Sequence, residues 1–142
     1  MHLITEYLAV GTADDVLNPC WQQAAILNVA SESRIPPPPG RHYHWIPFTE
    51  FAPAEPFQLD EAVSWLEQCG KGSPLLICCR AGIGRSVSVA IAYLCLARDM
   101  PYEKALRLVA AQRPGASPIP DLESTIRFVR DLRQKRLQGL NA

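Results

Sequence analysis

The sequence has no surplus of either charge. Lysine plus arginine and aspartate plus glutamate stand at 14 each, for a formal net charge of +0 at pH 7. That balance argues against a protein held on nucleic acid or on a membrane surface by bulk electrostatics, while leaving room for a small basic pocket. Long hydrophobic runs are missing too. Leu75–Cys79 and Val87–Ala97 come nearest, and both are too short or too interrupted to cross a bilayer. Met1–Val10 has neither a basic start nor a long apolar stretch, so no secretory leader is expected. The five cysteines include no C-x-x-C pair and no regular spacing. An odd, scattered set points to reduced thiols in the cytoplasm rather than to a disulfide framework, and to no structural zinc site.

What the chain does have is enough apolar material for a packed core. Hydrophobic residues make up 48% of 142 positions and charged residues 20%. With no internal repeat and no linker-like stretch, a single domain over 1–142 is expected, with its core over about 3–135 and a loose tail over 136–142.

Along the chain, Leu3-Ile4 and Tyr7–Val10 read as short strands that lead into a turn at Gly11. Thr12 can cap a helical turn starting at Ala13. Ala25–Val29 is a buried-strand pattern. Pro36–Pro39 followed by Gly40 reads as a stiff loop. Tyr43–Phe48 is extended, and Thr49–Glu55 is a proline-broken loop. Pro56 suits the first turn of a helix whose Leu59, Ala62, Val63, Leu66 and Cys69 share a face. Leu75–Cys78 is a uniformly apolar strand, the kind buried on both faces of a parallel sheet. Arg85–Arg98 is helical, with Val87, Ile91, Leu94 and Cys95 on one stripe. Pro101 opens another helix that turns Leu106, Val109 and Ala110 inward and stops at Arg113-Pro114-Gly115. A last helix spans Asp121–Lys135, with Leu122, Ile126, Val129 and Leu132 inward. This alternation predicts an α/β fold with a central, mostly parallel sheet of four to five strands flanked by helices, and a strand–loop–helix unit over 74–98.

That unit carries the chemistry. Residues 78–86 read Cys-Cys-Arg-Ala-Gly-Ile-Gly-Arg-Ser. The chain must curl tightly between strand and helix, and Gly82 and Gly84 allow backbone conformations closed to other residues. A curl that runs into a helix N-terminus turns successive N–H groups inward as an anion nest, which the helix dipole strengthens. The loop Arg80, Ala81, Gly82, Ile83, Gly84 and Arg85 is thus the candidate phosphate cradle. Arg85 can clamp two phosphate oxygens through its planar guanidinium. Cys79 at the mouth of the nest is the candidate nucleophile, since a thiolate is itself an anion. Ser86 can donate a hydrogen bond to that thiolate and help it leave.

Cys79, five residues, Arg85 and Ser86 together resemble the C-x5-R-[S/T] signature of the protein tyrosine phosphatase superfamily. Arg80–Ser86 is similar to its compact dual-specificity branch. Ile4–Gly11, Ile26–Ala30 and Arg113-Pro114 also fall where that branch has comparable segments. The resemblance implies a phosphatase that acts on phosphotyrosine, and on phosphoserine and phosphothreonine in some members, through a thiophosphoryl-enzyme. It implies a phosphorylated protein substrate, no cofactor and no metal, and a monomer without nucleic-acid or membrane partners. Relatives place an aspartate general acid on a proline-flanked loop upstream. Ile46–Pro53 matches that loop, with Glu50 where aspartate is expected. Asp60, Glu61, Asp121 and Glu123 are the other carboxylate candidates. The family also carries histidine before the nucleophile, where this chain has Cys78. The substitution implies a less acidic Cys79 and an activity optimum at higher pH. A phosphate-binding pseudoenzyme is the alternative reading, supported only by the Glu50 and Cys78 departures.

Other residues have plainer readings. Cys78, Cys69 and Cys95 suit core positions, although a thiol beside Cys79 also offers a redox partner. Cys20 has no assigned place. Arg80 can point outward toward an acidic or phosphorylated partner or stand as a solvated charge, and Ile83 can line the pocket rim. His42 and His44 share a strand face without a third metal ligand nearby. Trp45 and Trp65 suit packing.

Overall fold

The uniformly apolar stretch Leu75–Cys79 forms β5, and the rest of the sheet is built around it. The computed structural model describes residues 1–17, 24–32, 39–70 and 72–141. The elements are β1 (His2–Leu3), β2 (Leu8–Thr12), a 3-10 turn (Ala13–Leu17), β3 (Ala25–Ala30), β4 (Tyr43–Phe48), α1 (Pro56–Gln68), β5, α2 (Arg85–Ala97), α3 (Tyr102–Gln112) and α4 (Leu122–Asn141). The sheet order is β1-β2-β5-β3-β4. β5 runs parallel to β2 on one side and to β3 on the other, β4 continues in parallel, and β1 closes the far edge antiparallel. Pro47 is accommodated because β4 is an edge strand, where a missing N–H costs no ladder bond.

Every residue of β3 and β5 is buried, as expected for strands covered on both faces. The pleat divides β5 between two cores. Leu75, Ile77 and Cys79 join the main cluster with α1, α2, α3 and α4 residues. Leu76 and Cys78 join a smaller one with Ala9, Val16, Ala24 and Ile26. The α-helices therefore crowd one face, and the turn carrying Val16 contributes to the other.

Helix starts follow local chemistry. Glu55 caps α1 by accepting from the N–H groups of Phe57 and Gln58 at 3.0 and 2.9 Å, with Pro56 at the first helical position. On α3 the inward row is Ala105 and Val109, one turn apart. Ala110, expected inward, is exposed, and Leu106 is half-buried. Helix α4 continues to Asn141, past the expected boundary at Lys135. Arg136 ties this extension to Asp60 at 2.6 Å, and Arg133 just before it pairs with the same carboxylate at 2.8 Å. The expectations for Pro36–Pro38 and Cys20 fall outside the described residues.

Candidate active site

The four parallel strands end at one rim of the sheet, and the candidate residues sit at or just beyond their carboxyl ends. Glu32 follows β3, Glu50 and Phe51 follow β4, and Cys79 ends β5. In an open α/β sheet this rim is where ligands bind. β3 has an irregular register between Asn28 and Ala30, a bulge that redirects the chain just before Glu32.

Cys79 is only 3% exposed. Its Sγ lies 3.3 Å from Ser86 Oγ and accepts from the Gly82 N–H at 3.2 Å. It lines a cavity of about 480 Å³ shared with Glu50, Phe51, Ile83, Arg85 and Ile119. No side chain caps α2, so its first N–H groups are not spent on a capping residue. Gly82 adopts φ +70°, and a Cβ there would stand 2.6 Å from Arg113 Nη2 and 2.7 Å from the Gly11 carbonyl oxygen. Only glycine fits. Gly84 is different from expectation: its φ is −113°, and a Cβ would meet nothing nearer than Ser117 O at 3.6 Å. The curl needs one glycine for its backbone angle rather than two. Arg80 and Ala81 are exposed.

Arg85 is buried, at 2% exposure. Its Nη1 and Nη2 donate to the two carboxylate oxygens of Glu32 at 2.7 and 2.5 Å, and Nη1 also donates to the Phe48 carbonyl at 3.1 Å. Of the five guanidinium N–H groups, Nε–H and one on Nη2 remain, and these lie on a single edge. The hydrogen bonds from Arg85 hold the Glu32 carboxyl down to about 2 against partial desolvation, and Glu32 in turn raises Arg85. Glu32 carries no local signal in the sequence. It lies 53 positions before Arg85, and only the sheet order brings the two together.

Glu50 lines the cavity, and its Oε2 is 4.0 Å from Arg85 Nη2. The next residue, Phe51, has φ +61° and is 84% exposed. A bulky residue in the left-handed region is a strained position of the kind that collects at functional sites. The other carboxylates are committed elsewhere or lie off the cavity. Asp60 is paired with Arg133 and Arg136, Glu61 faces His44 at 3.4 Å, and neither Asp121 nor Glu123 lines the cavity.

Cys78 is fully buried in the smaller core, on the strand face opposite Cys79. Burial pushes its thiol up to about 12, so it brings no charge to the loop. The pleat places the two thiols in different cores, on opposite faces of the sheet, which disfavours the redox pairing. Cys95 is buried, and Cys69 lies at the end of α1 with Sγ 3.3 Å from the Trp65 carbonyl. His42 and His44 both lie against the Trp65 ring, at 4.9 and 5.5 Å between centroids. Trp45 Nε1 donates to the Ala30 carbonyl at 2.7 Å.

Comparison with known proteins agrees with this geometry. The family described as dual specificity phosphatase, catalytic domain, matches residues 21–138. Dual specificity protein phosphatase 16 of Homo sapiens is 34% identical over 118 residues, covering 78% of this chain and 18% of that protein. Dual specificity protein phosphatase 1B of Arabidopsis thaliana is 35% identical over 83 residues, covering 56% of this chain and 46% of that protein. The chain thus spans less than half the length of these curated relatives. Among solved structures, human DUSP28 superposes with a TM-score of 0.79 at 22% identity, covering 96% of this chain and 99% of that one. A mouse putative dual specificity phosphatase complexed with zinc tungstate gives 0.80 at 22% identity, covering 96% and 89%. The chain belongs to the dual specificity phosphatase catalytic domain family, within the protein tyrosine phosphatase superfamily. Among the described residues, no helix is long and apolar enough to cross a membrane.

Proposed function

We propose that this protein is a cysteine-dependent phosphatase of phosphorylated proteins, working on phosphotyrosine and, with less depth to fill, on phosphoserine and phosphothreonine. The observation that carries the reading is Cys79 Sγ on the wall of the cavity, held by the inward Gly82 N–H beside an uncapped helix start and a buried arginine. In this reading the Cys79 thiolate attacks phosphorus in line. The sulfur–phosphorus bond forms as the ester phosphorus–oxygen bond breaks, and the leaving oxygen takes a proton from Glu50. The loop N–H groups and the free edge of Arg85 hold the three equatorial oxygens. Water then attacks the thiophosphoryl group and gives its proton back to Glu50. Ser86 donates to the departing thiolate. The protein works as a monomer in the cytoplasm, where the thiol stays reduced.

The cavity walls favour an aryl ester. Phe51, Ile83, Pro118, Ile119 and Pro120 give an apolar surround that suits the ring of phosphotyrosine. The tungstate complex of the mouse neighbour supports an oxyanion in the same fold.

The test is hydrolysis of an aryl phosphate by the wild type, Cys79→Ser and Glu50→Gln. Turnover is expected to vanish in Cys79→Ser, and to fall about a hundredfold or more in Glu50→Gln on a poor leaving group. Turnover that survives Cys79→Ser removes the mechanism. A wild type that binds tungstate without turnover makes the protein a phosphate-binding module instead.

A further inference from the structure

The outer side of the loop is held as tightly as the inner side. Arg113 is 9% exposed and sits at the end of α3, where its N–H closes the helix on the Val109 carbonyl at 2.8 Å. Its Nε donates to the Gly82 carbonyl at 2.9 Å, and its Nη2 donates to the Ala81 carbonyl at 3.2 Å. Its Nη1 is hydrogen-bonded to His2 Nδ1 on β1. Four residues on, the Ser117 N–H donates to the Ile83 carbonyl at 2.7 Å. Three successive loop carbonyls, those of Ala81, Gly82 and Ile83, are thus taken by one segment.

This has a direct consequence for the cradle. In a planar trans peptide, C=O and the following N–H point in opposite directions. Fixing the carbonyls of Ala81, Gly82 and Ile83 outward fixes the N–H groups of Gly82, Ile83 and Gly84 inward. The first of these is already seen on Cys79 Sγ.

We propose that Arg113 is a positioning residue for the phosphate cradle. It holds the Ala81 and Gly82 carbonyls outward so that the loop N–H groups face the oxyanion, while His2 fixes the third arm of its guanidinium. The proposal rests on the reading of this loop as a phosphate cradle, but not on turnover. A lysine cannot replace Arg113, because a point charge does not span two carbonyls and an imidazole at once. β1, an edge strand of two residues, gains a purpose as the carrier of His2.

The experiment is calorimetric titration of the full chain with tungstate, beside steady-state kinetics on an aryl phosphate. Arg113→Ala is expected to weaken tungstate about tenfold or more, and to lower kcat as well as raise KM, for a loss in kcat/KM of about tenfold to a hundredfold. Arg113→Lys is expected to fall between the two. His2→Ala should weaken tungstate by a few fold, and His2→Asn, which restores an acceptor, should recover it. A merely structural Arg113 would lower the melting temperature while leaving tungstate affinity and kcat unchanged well below it. That result overturns the proposal. If Arg113→Ala does not fold, Arg113→Lys and His2→Ala decide, and wild-type tungstate affinity in both also overturns it. If the wild type binds tungstate but turns nothing over, the phosphatase reading fails and the tungstate series still judges Arg113.

Discussion

Two arginines hold the same loop from opposite sides, and they do so by different physics. Arg85, inside, is anchored by a carboxylate: Glu32 takes one edge of its guanidinium, and the other edge is the one the proposed function gives to the phosphate. Arg113, outside, is anchored by backbone: two carbonyls and an imidazole take its donors. A buried charge needs partners in either case. The inner arginine has an ionic partner, Glu32, and its Nε–H makes no hydrogen bond among the described residues. The outer one bonds to neutral loop carbonyls and shapes the loop itself. On the proposed reading, binding and shape fall to separate residues.

The largest blow to this division should come from Arg85→Ala. Losing the clamp that faces the transferred phosphoryl group is expected to lower kcat/KM by about a thousandfold or more on an aryl phosphate. A loss under tenfold would mean the inner arginine is not the ligand clamp.

Gly82→Ala probes the outer side. The added Cβ must displace Arg113 or the Gly11 carbonyl, and φ +70° disfavours it besides. Chemical denaturation should show a loss of about 3 kcal/mol, together with impaired tungstate binding. Gly84→Ala, whose Cβ would make only an ordinary 3.6 Å contact with the Ser117 carbonyl oxygen, should cost far less. Equal costs would show that the two glycines do not differ as their surroundings indicate.

Glu32→Gln removes the charge that anchors the inner arginine. Kinetics should show about a tenfold loss in kcat/KM, since the fork survives in weaker, neutral form. The same variant sharpens the pH behaviour. The folded pKa of Glu32 is depressed to about 2, below its unfolded value. Its contribution to stability is therefore fully present above the ordinary carboxylate range near 4.5 and is lost as pH falls toward 2. Thermal unfolding across that window should lose part of its pH dependence in Glu32→Gln. An unchanged slope would remove Glu32 as the group responsible.

Phe51 is the smallest case. Its side chain is exposed, so truncation removes little packing, and glycine relieves the left-handed backbone. Phe51→Gly should stabilise the fold by up to about 1 kcal/mol while raising KM for aryl phosphates a few fold. A variant that is both less stable and unchanged in KM would show that Phe51 packs rather than recognises.

These residues differ in how far they could be read from the chain. Cys79, Gly82, Arg85 and Ser86 lie within eight positions, and strand, curl and helix are local events, so spacing alone is enough to propose an anion nest. The same holds for the apolar runs of β3 and β5 and for the helical stripes. Glu50 was legible only through the proline-flanked pattern of Ile46–Pro53. Glu32, Phe51 and the clamp by Arg113 and His2 were not legible. Glu32 meets Arg85 across 53 positions, and Arg113 meets His2 across 111. Neither separation has a periodicity that sequence could display.

Cys78 and Cys79 condense the distinction. From sequence they are equal thiols at a strand end, and only the motif spacing singles out the second. Their fates are decided by the pleat and by what covers each face: one sulfur is packed among Ala9, Val16, Ala24 and Ile26, and the other is turned to the cavity. The sequence by itself determined the strand, the curl and the residues within it, because those depend on neighbours in the chain. The tertiary structure alone decided what grips the loop from either side. That depends on the order β1-β2-β5-β3-β4, which brings the ends of β2, β3 and β4 to the rim where β5 ends.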